Sequence, residues 1–254
     1  MMQAKAFDML IHVVNPNTTQ SFTDKIEVAA QAAASIGTEI FASQSEMGPV
    51  SIEGYYDEVF AMPGMLNRIV EAEKKKVSGH VIACFDDTGL DAARMAATAP
   101  VVAIGEAAFH AASLISYKFS VVTTLSRSIP VIEHNLVRYG LASRCAKVRA
   151  AEVPVLSLED ANSPARALIS QEIKNAKLQD RCEAIVLGCA GMADLAQSLS
   201  LEHGLPVIDG VSVAIGLIEM LARNQLRTSK VGGYARPLPK KYTGMFAPFA
   251  PHNN

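Results

Sequence analysis

Short runs of β-branched residues alternate with longer, alanine-rich amphipathic stretches along almost the whole chain of 254 residues. Continuous apolar runs are typical of strands that are buried on both faces, and the stretches between them have the period of helices. This βαβα order predicts an α/β fold with doubly wound parallel sheets. Strands are predicted at 8–14, 37–42, 79–83, 100–104, 119–123, 147–155, 183–187 and 206–208. Helices are predicted at 18–35, 57–77, 89–98, 105–116, 127–139, 162–178, 192–202 and 211–224, with Asn17 or Thr18, Asp57 and Asn162 capping the first, second and sixth.

A faint internal repeat divides the chain into two similar halves. Val14 and Cys84 are 70 residues apart, and Val122 and Cys189 are 67 apart. From each of these cysteines to the proline that opens the next strand is 16 residues in the first half and 17 in the second. The repeat predicts two pseudo-symmetric lobes with an active site in the cleft between them. The predicted division is 1–112, 113–210, a helix at 211–230 that returns to the first lobe, and a Pro/Gly-rich tail at 231–254.

Cys84 and Cys189 are the leading candidates for chemistry. Both follow a predicted strand at its carboxyl end, where open α/β sheets bind ligands. Each also precedes a predicted helix, whose N-terminal dipole favours a thiolate, so we expect thiol pKa values lowered from about 8.5 toward neutrality. A disulfide between the two is the competing arrangement, which a reducing compartment disfavours. Cys145 and Cys182 are expected to be packing residues.

Polar turns follow the first strand of each half. Asn15, Asn17 and Thr18 in the first, and Thr123 and Thr124 in the second, supply amide and hydroxyl groups that either bind a small polar ligand or cap helices. Small residues beside the second cysteine let backbone N–H groups approach a developing oxyanion. The turns therefore predict a pocket for a small molecule.

Several function classes are excluded by what the chain lacks. Twenty-three Lys and Arg balance 25 Asp and Glu, with no basic stripe for nucleic acid or anionic lipid. No apolar run reaches the roughly 18–20 residues of a membrane span and no signal peptide is present, so we expect no membrane partner and a cytoplasmic location. The motifs of metalloproteases, P-loops and serine hydrolases are absent, so no metal and no cofactor are expected. Alanine-rich helices and scattered methionines predict a homo-oligomer.

Seven motifs considered together carry a family resemblance. They are VNPNT at 14–18, SIEGYYDE at 51–58, CFDDTGLDAAR at 84–94, EAAFH at 106–110, VVTTL at 121–125, VLGCAGM at 186–192 and VIDGV at 207–211. Over residues 8–230 the chain resembles the aspartate/glutamate/hydantoin racemase superfamily, and most closely its hydantoin racemases, with allantoin racemases as near relatives. Thr88 stands where the family pattern often has proline, which leaves the start of the following helix open.

The resemblance implies a cofactor-independent racemase that uses two cysteines, one on each face of its substrate. Carried over by motif, Cys84 and Cys189 are the acid/base pair. The residues implied to line the pocket are Asn15, Val50, Phe85, Asp86, Thr123, Thr124, Ala190 and Gly191.

The substrate implied is a 5-monosubstituted hydantoin. Its C5 proton is acidic enough for thiol bases, and the candidate loops hold no Lys or Arg to bind an amino acid's carboxylate. Phe85 and Val50 favour an apolar substituent at C5. The alternatives are allantoin, then an amino acid, or a decarboxylase or isomerase on the same scaffold. A two-lobe binding protein is the non-enzymatic alternative.

Overall fold

Residues 9–160 and 162–251 are described by a computed structural model. Within these residues, eight strands form two four-stranded parallel sheets. The predicted α/β fold with paired parallel sheets is confirmed. Residues 1–8, 161 and 252–254 lie outside the described residues. They fall within the predicted first lobe, the predicted second lobe and the predicted tail, respectively. The strands are β1 Met9–Asn15, β2 Thr38–Gln44, β3 Gly79–Ile82, β4 Val101–Ala103, β5 Phe119–Thr123, β6 Cys145–Ala150, β7 Ala184–Gly188 and β8 Val207–Ile208.

The two sheets have the same topology. The first has the order β2-β1-β3-β4 and the second the order β6-β5-β7-β8. Every residue of β3 and of β7 is buried, because helices cover both faces of each sheet, which explains their continuous apolar sequences. Since Cys84 lies just beyond β3 and Cys189 directly follows β7, the two cysteines occupy equivalent places in the two sheets.

Seven α-helices connect the described strands and an eighth follows β8, and the three predicted N-caps are not the observed ones. The N-cap residues are Thr19, Gly54 and Pro164, not Asn17 or Thr18, Asp57 and Asn162. The predicted residues serve the preceding turns instead: the Asp57 carboxylate, for example, accepts a hydrogen bond from the N–H of Glu53 at 3.0 Å. The helices are α1 Gln20–Ala33, α2 Tyr55–Glu73, α3 Leu90–Ala96, α4 Ile104–Ile115, α5 Ile129–Arg138, α6 Ala165–Gln179, α7 Ala196–His203 and α8 Gly210–Arg223.

Helix α4 joins the two halves through one apolar core. Phe109 is fully buried, and its ring lies 5.3 Å from that of Phe85 and 6.0 Å from that of Phe119. The same core includes Val81 of the first sheet and Val186 of the second. Burial of one such aromatic side chain contributes roughly 1.5–3 kcal/mol. The shared core therefore sets how the two sheets face each other across the cleft.

Helix α8 returns to the first sheet, where it packs on β3 and α1. Its buried Glu219 accepts hydrogen bonds from Ser35 and from the Thr38 hydroxyl, at 2.6–2.8 Å. Beyond α8, Thr228 and Tyr234 hold the following segment against the first lobe. The predicted boundary at residue 112 falls inside α4, so the division into domains at that position stays a prediction.

Candidate active site

A cavity of about 50 Å³ lies between the two sheets at the carboxyl ends of their strands. Cys84 and Cys189 both line it, and each thiol is free and half-buried. The competing prediction of a disulfide between them is therefore wrong. The cleft between the sheets brings together two thiols that are 105 residues apart in the chain.

The first sheet contributes the turn after β1. The Asn15 amide donates to Asn17 at 2.9 Å and to the Thr23 hydroxyl at 3.1 Å, and it also reaches the carbonyl of Thr19. Its carbonyl oxygen accepts the N–H of Asn17. Asn15 thus lines the cavity with its hydrogen bonds already committed to the turn, and Asn17 is the side chain that it positions.

The second sheet contributes the segment 188–191. Gly188 has no room for a side chain, because an added Cβ would lie 2.7 Å from the Cβ of Thr123. The Thr123 hydroxyl donates to the Gly188 carbonyl at 3.1 Å, beneath the cavity wall. Thr124, Ala190 and Gly191 line the cavity, whereas Thr123 does not.

The loop after Cys84 is held rigidly by two of its own residues. The buried Thr88 hydroxyl donates to the Cys84 sulfur at 3.3 Å. The buried Asp87 carboxylate accepts the N–H groups of Gly105 and Glu106 and the Tyr139 hydroxyl, at 2.7–2.9 Å. These contacts tie the loop to α4 and α5.

The predicted start of the next helix is resolved by Gly89. Gly89 is the N-cap of α3 with a φ of 65°, and the helix begins at Leu90. Thr88 in place of proline is therefore compatible with this helix, and it adds a hydrogen bond to the thiol.

Both thiol pKa values are raised, so the predicted lowering toward neutrality is wrong. Burial, together with the Asp86 and Glu58 carboxyls, raises the pKa of Cys84 well above its ordinary value. Burial raises the pKa of Cys189 to about 11. The predicted helix dipoles are too weak, because α3 begins six residues after Cys84 and only a 3₁₀ segment follows Cys189.

Two carboxyl groups lie close to the thiols. Asp86 is only 8% exposed, and burial followed by repulsion from Glu58 raises its pKa to about 7. Burial also raises the pKa of Glu58, while Arg138 opposes that rise. Near neutral pH Asp86 therefore exists as a mixture of its charged and neutral forms.

Of the two large apolar residues predicted to line the pocket, Val50 lies elsewhere and Phe85 is deeply buried in the wall. Val50 is 57% exposed and lies outside the cavity, and its carbonyl accepts the Thr19 hydroxyl. Ile52, two residues further, lines the cavity instead. Phe85 lines the wall but is only 3% exposed and packs edge-on against Phe109. The predicted preference for apolar substituents thus loses Val50 but keeps Phe85 in the cavity wall, and it stays a prediction.

Several other residues at the site were not predicted from the sequence. Thr88 and Glu58 act on Cys84, and the four-residue spacing from Cys84 to Thr88 was the available signal for the first. The sequence around Glu58 does not predict a site residue, because Glu58 comes close to Cys84 only through the packing of α2. The remaining lining residues that were not predicted are Pro16, Phe22, Ile26, Ile52, Ala83, Ser128, Val155 and Gly188.

The fold is that of the aspartate/glutamate racemases. A solved structure described as allantoin racemase from Klebsiella pneumoniae superposes with a TM-score of 0.94 at 44% identity, covering 96% of this chain and 100% of that one. A glutamate racemase from Francisella tularensis has a TM-score of 0.61 at 14% identity, covering 87% and 84%, and shares the fold alone.

The chain belongs to the Asp/Glu/hydantoin racemase family, whose model matches residues 11–218. A relative from Rhizobium meliloti described as hydantoin racemase is 46% identical over 236 residues, which is 93% of this chain and 98% of that protein. The resemblance inferred from the seven motifs is thereby confirmed, and the protein is an enzyme of this racemase family. The alternative of a binding protein is therefore wrong.

Two further features are absent from residues 9–160 and 162–251, the part of the chain that the structure describes. No helix there is both long and apolar enough to cross a membrane. The same residues contain no cluster of three or more His, Cys, Asp or Glu side chains arranged to bind a metal ion.

Proposed function

We propose that this enzyme racemises 5-monosubstituted hydantoins, with Cys84 and Cys189 exchanging protons with C5 on opposite faces of the ring. The observation that supports the proposal is that both free thiols line one cavity from equivalent positions in two different sheets. A planar ring held between the lobes would present one face to each sulfur.

The ring itself supplies the electron sink for this chemistry. Loss of the C5 proton gives an enolate that is conjugated with the ring amide. One cysteine removes the proton as a thiolate, and the opposing thiol donates its own proton to the other face. Positioned acid and base groups of this kind contribute typically about 10²–10⁴-fold in rate.

Neutral donors face the space where the ring carbonyls would lie. Asn17, Thr124 and Ser128 line the cavity, and no described residue accepts a hydrogen bond from the Asn17 amide nitrogen or from either hydroxyl. These groups would stabilise the enolate oxygen. The N–H of Gly191, near which a donor was predicted, lies close enough to the Cys189 thiol to lower its pKa.

The cavity suits an uncharged ring better than an amino acid. Among the described lining residues there is no Lys or Arg to pair with an α-carboxylate. Burying a carboxylate without a partner costs several kcal/mol. An amino-acid racemase is therefore the weaker candidate.

Single substitution of either cysteine tests the proposal. In Cys84→Ala and in Cys189→Ala we expect racemisation of an optically pure hydantoin to fall by roughly 10²–10⁴-fold, because one face loses its acid or base. Polarimetry after subtraction of the uncatalysed rate gives the measurement. Near-normal racemisation in both variants would overturn the two-base mechanism.

Cys182→Ala is the matched control. Cys182 is a half-buried free thiol that packs in the second lobe, and it does not line the cavity. We expect this variant to racemise at the wild-type rate.

Allantoin, a hydantoin with a ureido group at C5, is the second candidate substrate. The high similarity to the Klebsiella pneumoniae structure favours it. A decarboxylase or isomerase would instead release carbon dioxide from a malonate-type acid or interconvert a cis–trans pair, and assays on those substrates test these alternatives.

A further inference from the structure

A second cavity of about 330 Å³ adjoins the candidate active site. Its walls come from the first turns of α2, the loop 86–89 with the first turn of α3, and the helix α5. Asp86 lines both cavities, so it stands where one passes into the other.

Asp86 is a buried carboxyl group with an unused side chain. It is 8% exposed, and no described residue forms a hydrogen bond with its carboxyl oxygens, although its backbone carbonyl accepts the Asn135 amide at 2.9 Å. Among the described residues no fully buried side-chain oxygen lacks a partner, so the unpaired Asp86 carboxyl is open to the cavities. It is therefore placed to accept a hydrogen bond from a ligand that has a hydrogen to donate.

The remaining walls carry both acceptors and donors. Glu58 faces the cavity from α2, and no described residue donates a hydrogen bond to it. His134 and Arg138 face it from α5, with Arg138 paired to Asp91. These charges suit a neutral group that has N–H donors on one side and a carbonyl on the other, and they suit a saturated hydrocarbon poorly.

We propose that this second cavity binds the C5 substituent of the substrate and selects substituents that carry N–H donors, such as a ureido or carboxamide group, through the carboxyl groups of Asp86 and Glu58. The inference rests on the proposed C5 racemisation. The ring lies between the thiols, and the N–H groups of the substituent donate to Asp86 and Glu58 while its carbonyl faces His134 and Arg138.

The experiment compares two hydantoins of matched shape. The ureido group of allantoin and the isobutyl group of 5-isobutylhydantoin have the same number and branching of non-hydrogen atoms. With the wild-type enzyme we expect kcat/KM for allantoin to exceed that for 5-isobutylhydantoin by roughly tenfold or more, because hydrogen bonds to charged acceptors are worth more than neutral ones. Both rates are corrected for uncatalysed racemisation.

Glu58→Gln separates the subsite from the chemistry. We expect it to lower the ratio of the two kcat/KM values by roughly tenfold, because it removes the charged acceptor. The ratio cancels any effect of Glu58 on the Cys84 thiol, which both substrates share. Asp86→Asn is expected to lower the same ratio.

Glu133→Gln is the matched control, since Glu133 is an exposed carboxylate on α5 that lines neither cavity. The ratio of kcat/KM for allantoin to kcat/KM for 5-isobutylhydantoin should be the same in this variant as in the wild type. Equal or better turnover of 5-isobutylhydantoin by the wild type, or an unchanged ratio in Glu58→Gln, would overturn the subsite.

Unsubstituted hydantoin distinguishes failure of the subsite proposal from failure of the proposed racemisation. Its C5 hydrogens exchange with deuterium only if the thiol chemistry works, and it places nothing in the second cavity. Exchange without any ureido preference would overturn the subsite alone. No catalysed exchange in the wild type would overturn the proposed function and the subsite with it. Exchange in Glu58→Gln also shows that this variant is folded.

Discussion

The two lobes build the same sheet but surround their cysteines differently. Cys84 is followed by a polar loop that contains two buried aspartates and the Thr88 hydroxyl. Cys189 is followed by Ala190 and Gly191, and the backbone N–H of Gly191 lowers its pKa. Equivalent positions in a repeated fold thus carry thiols with unlike chemistry.

Charge separates the two thiols further. Asp86 opposes the thiolates of both cysteines. At Cys189 the charge of Lys25 partly offsets it, whereas at Cys84 the charge of Glu58 adds to it. We therefore expect Cys189 to ionise at a lower pH than Cys84. A two-base site assembled from a repeat can therefore have one preferred base, here Cys189, and one preferred acid, here Cys84.

The largest effect should come from separating the two faces. In deuterium oxide, Cys84→Ala should exchange the C5 proton of one hydantoin enantiomer, and Cys189→Ala that of the other, because each variant keeps one thiol. We expect the disfavoured enantiomer to exchange at least about 10²-fold more slowly. Proton NMR of each pure enantiomer measures this. If both variants exchange the same enantiomer, the thiols do not face each other across the ring.

The pH dependence should be the next largest effect. Both thiol pKa values are raised, with that of Cys189 near 11, so the thiolate is a small minority at neutral pH. We expect kcat/KM to rise roughly tenfold per pH unit from pH 7 to above pH 9. Polarimetry with matched enzyme-free controls follows this rise. A maximum near pH 7 would contradict the raised thiol pKa values.

Thr88→Val should affect one thiol only. It removes the hydroxyl that donates to Cys84, so the Cys84 thiolate loses a hydrogen bond and its alkylation by iodoacetamide should slow roughly tenfold near neutral pH. Peptide mapping by mass spectrometry reads each cysteine separately. Thr88→Ser, which keeps the hydroxyl, should react like the wild type. An equal loss at Cys189 would show a general disturbance of the site.

Lys25→Met should give the smallest effect, on the other thiol. Lys25 is half-buried and pairs with Asp194 at 3.2 Å, so its charge is partly screened. We expect alkylation of Cys189 to slow by roughly two- to threefold, and added salt to reduce the difference. Lys174→Met, an exposed lysine on α6, is the control. An unchanged alkylation rate at Cys189 would show that the charge of Lys25 does not affect this thiol.

Much of the architecture was predictable because it depends on local pattern. The buried runs of β3 and β7 and the helical periods between strands appear in any window of the chain, and the repeat pairs Cys84 with Cys189. A cytoplasmic location and assembly into a homo-oligomer stay predictions. The helix starts were less predictable. The N-cap of α2, for example, is Gly54 with a positive φ of 149°, and no local sequence pattern predicts that conformation.

The site was predictable only in part. Thr123 and Thr124 are neighbours of the same type, yet only Thr124, which lies just beyond the end of β5, reaches the cavity. The hydroxyl of Thr123, the last residue of β5, instead donates to the Gly188 carbonyl. Val50 was predicted to line the cavity, but Ile52 does so instead. Both lie in a loop, where no periodicity shows which side chain faces the site.

The order of apolar and polar residues determined by itself that this chain forms two parallel sheets of the racemase type with one cysteine at the end of a central strand in each. Only the tertiary structure decided how those thiols ionise and what lies beside them. The physical reason is that burial and charge depend on distance in space: Glu58, Asp86 and Arg138 come from separate segments and meet only when α2 and α5 pack against the loop after Cys84.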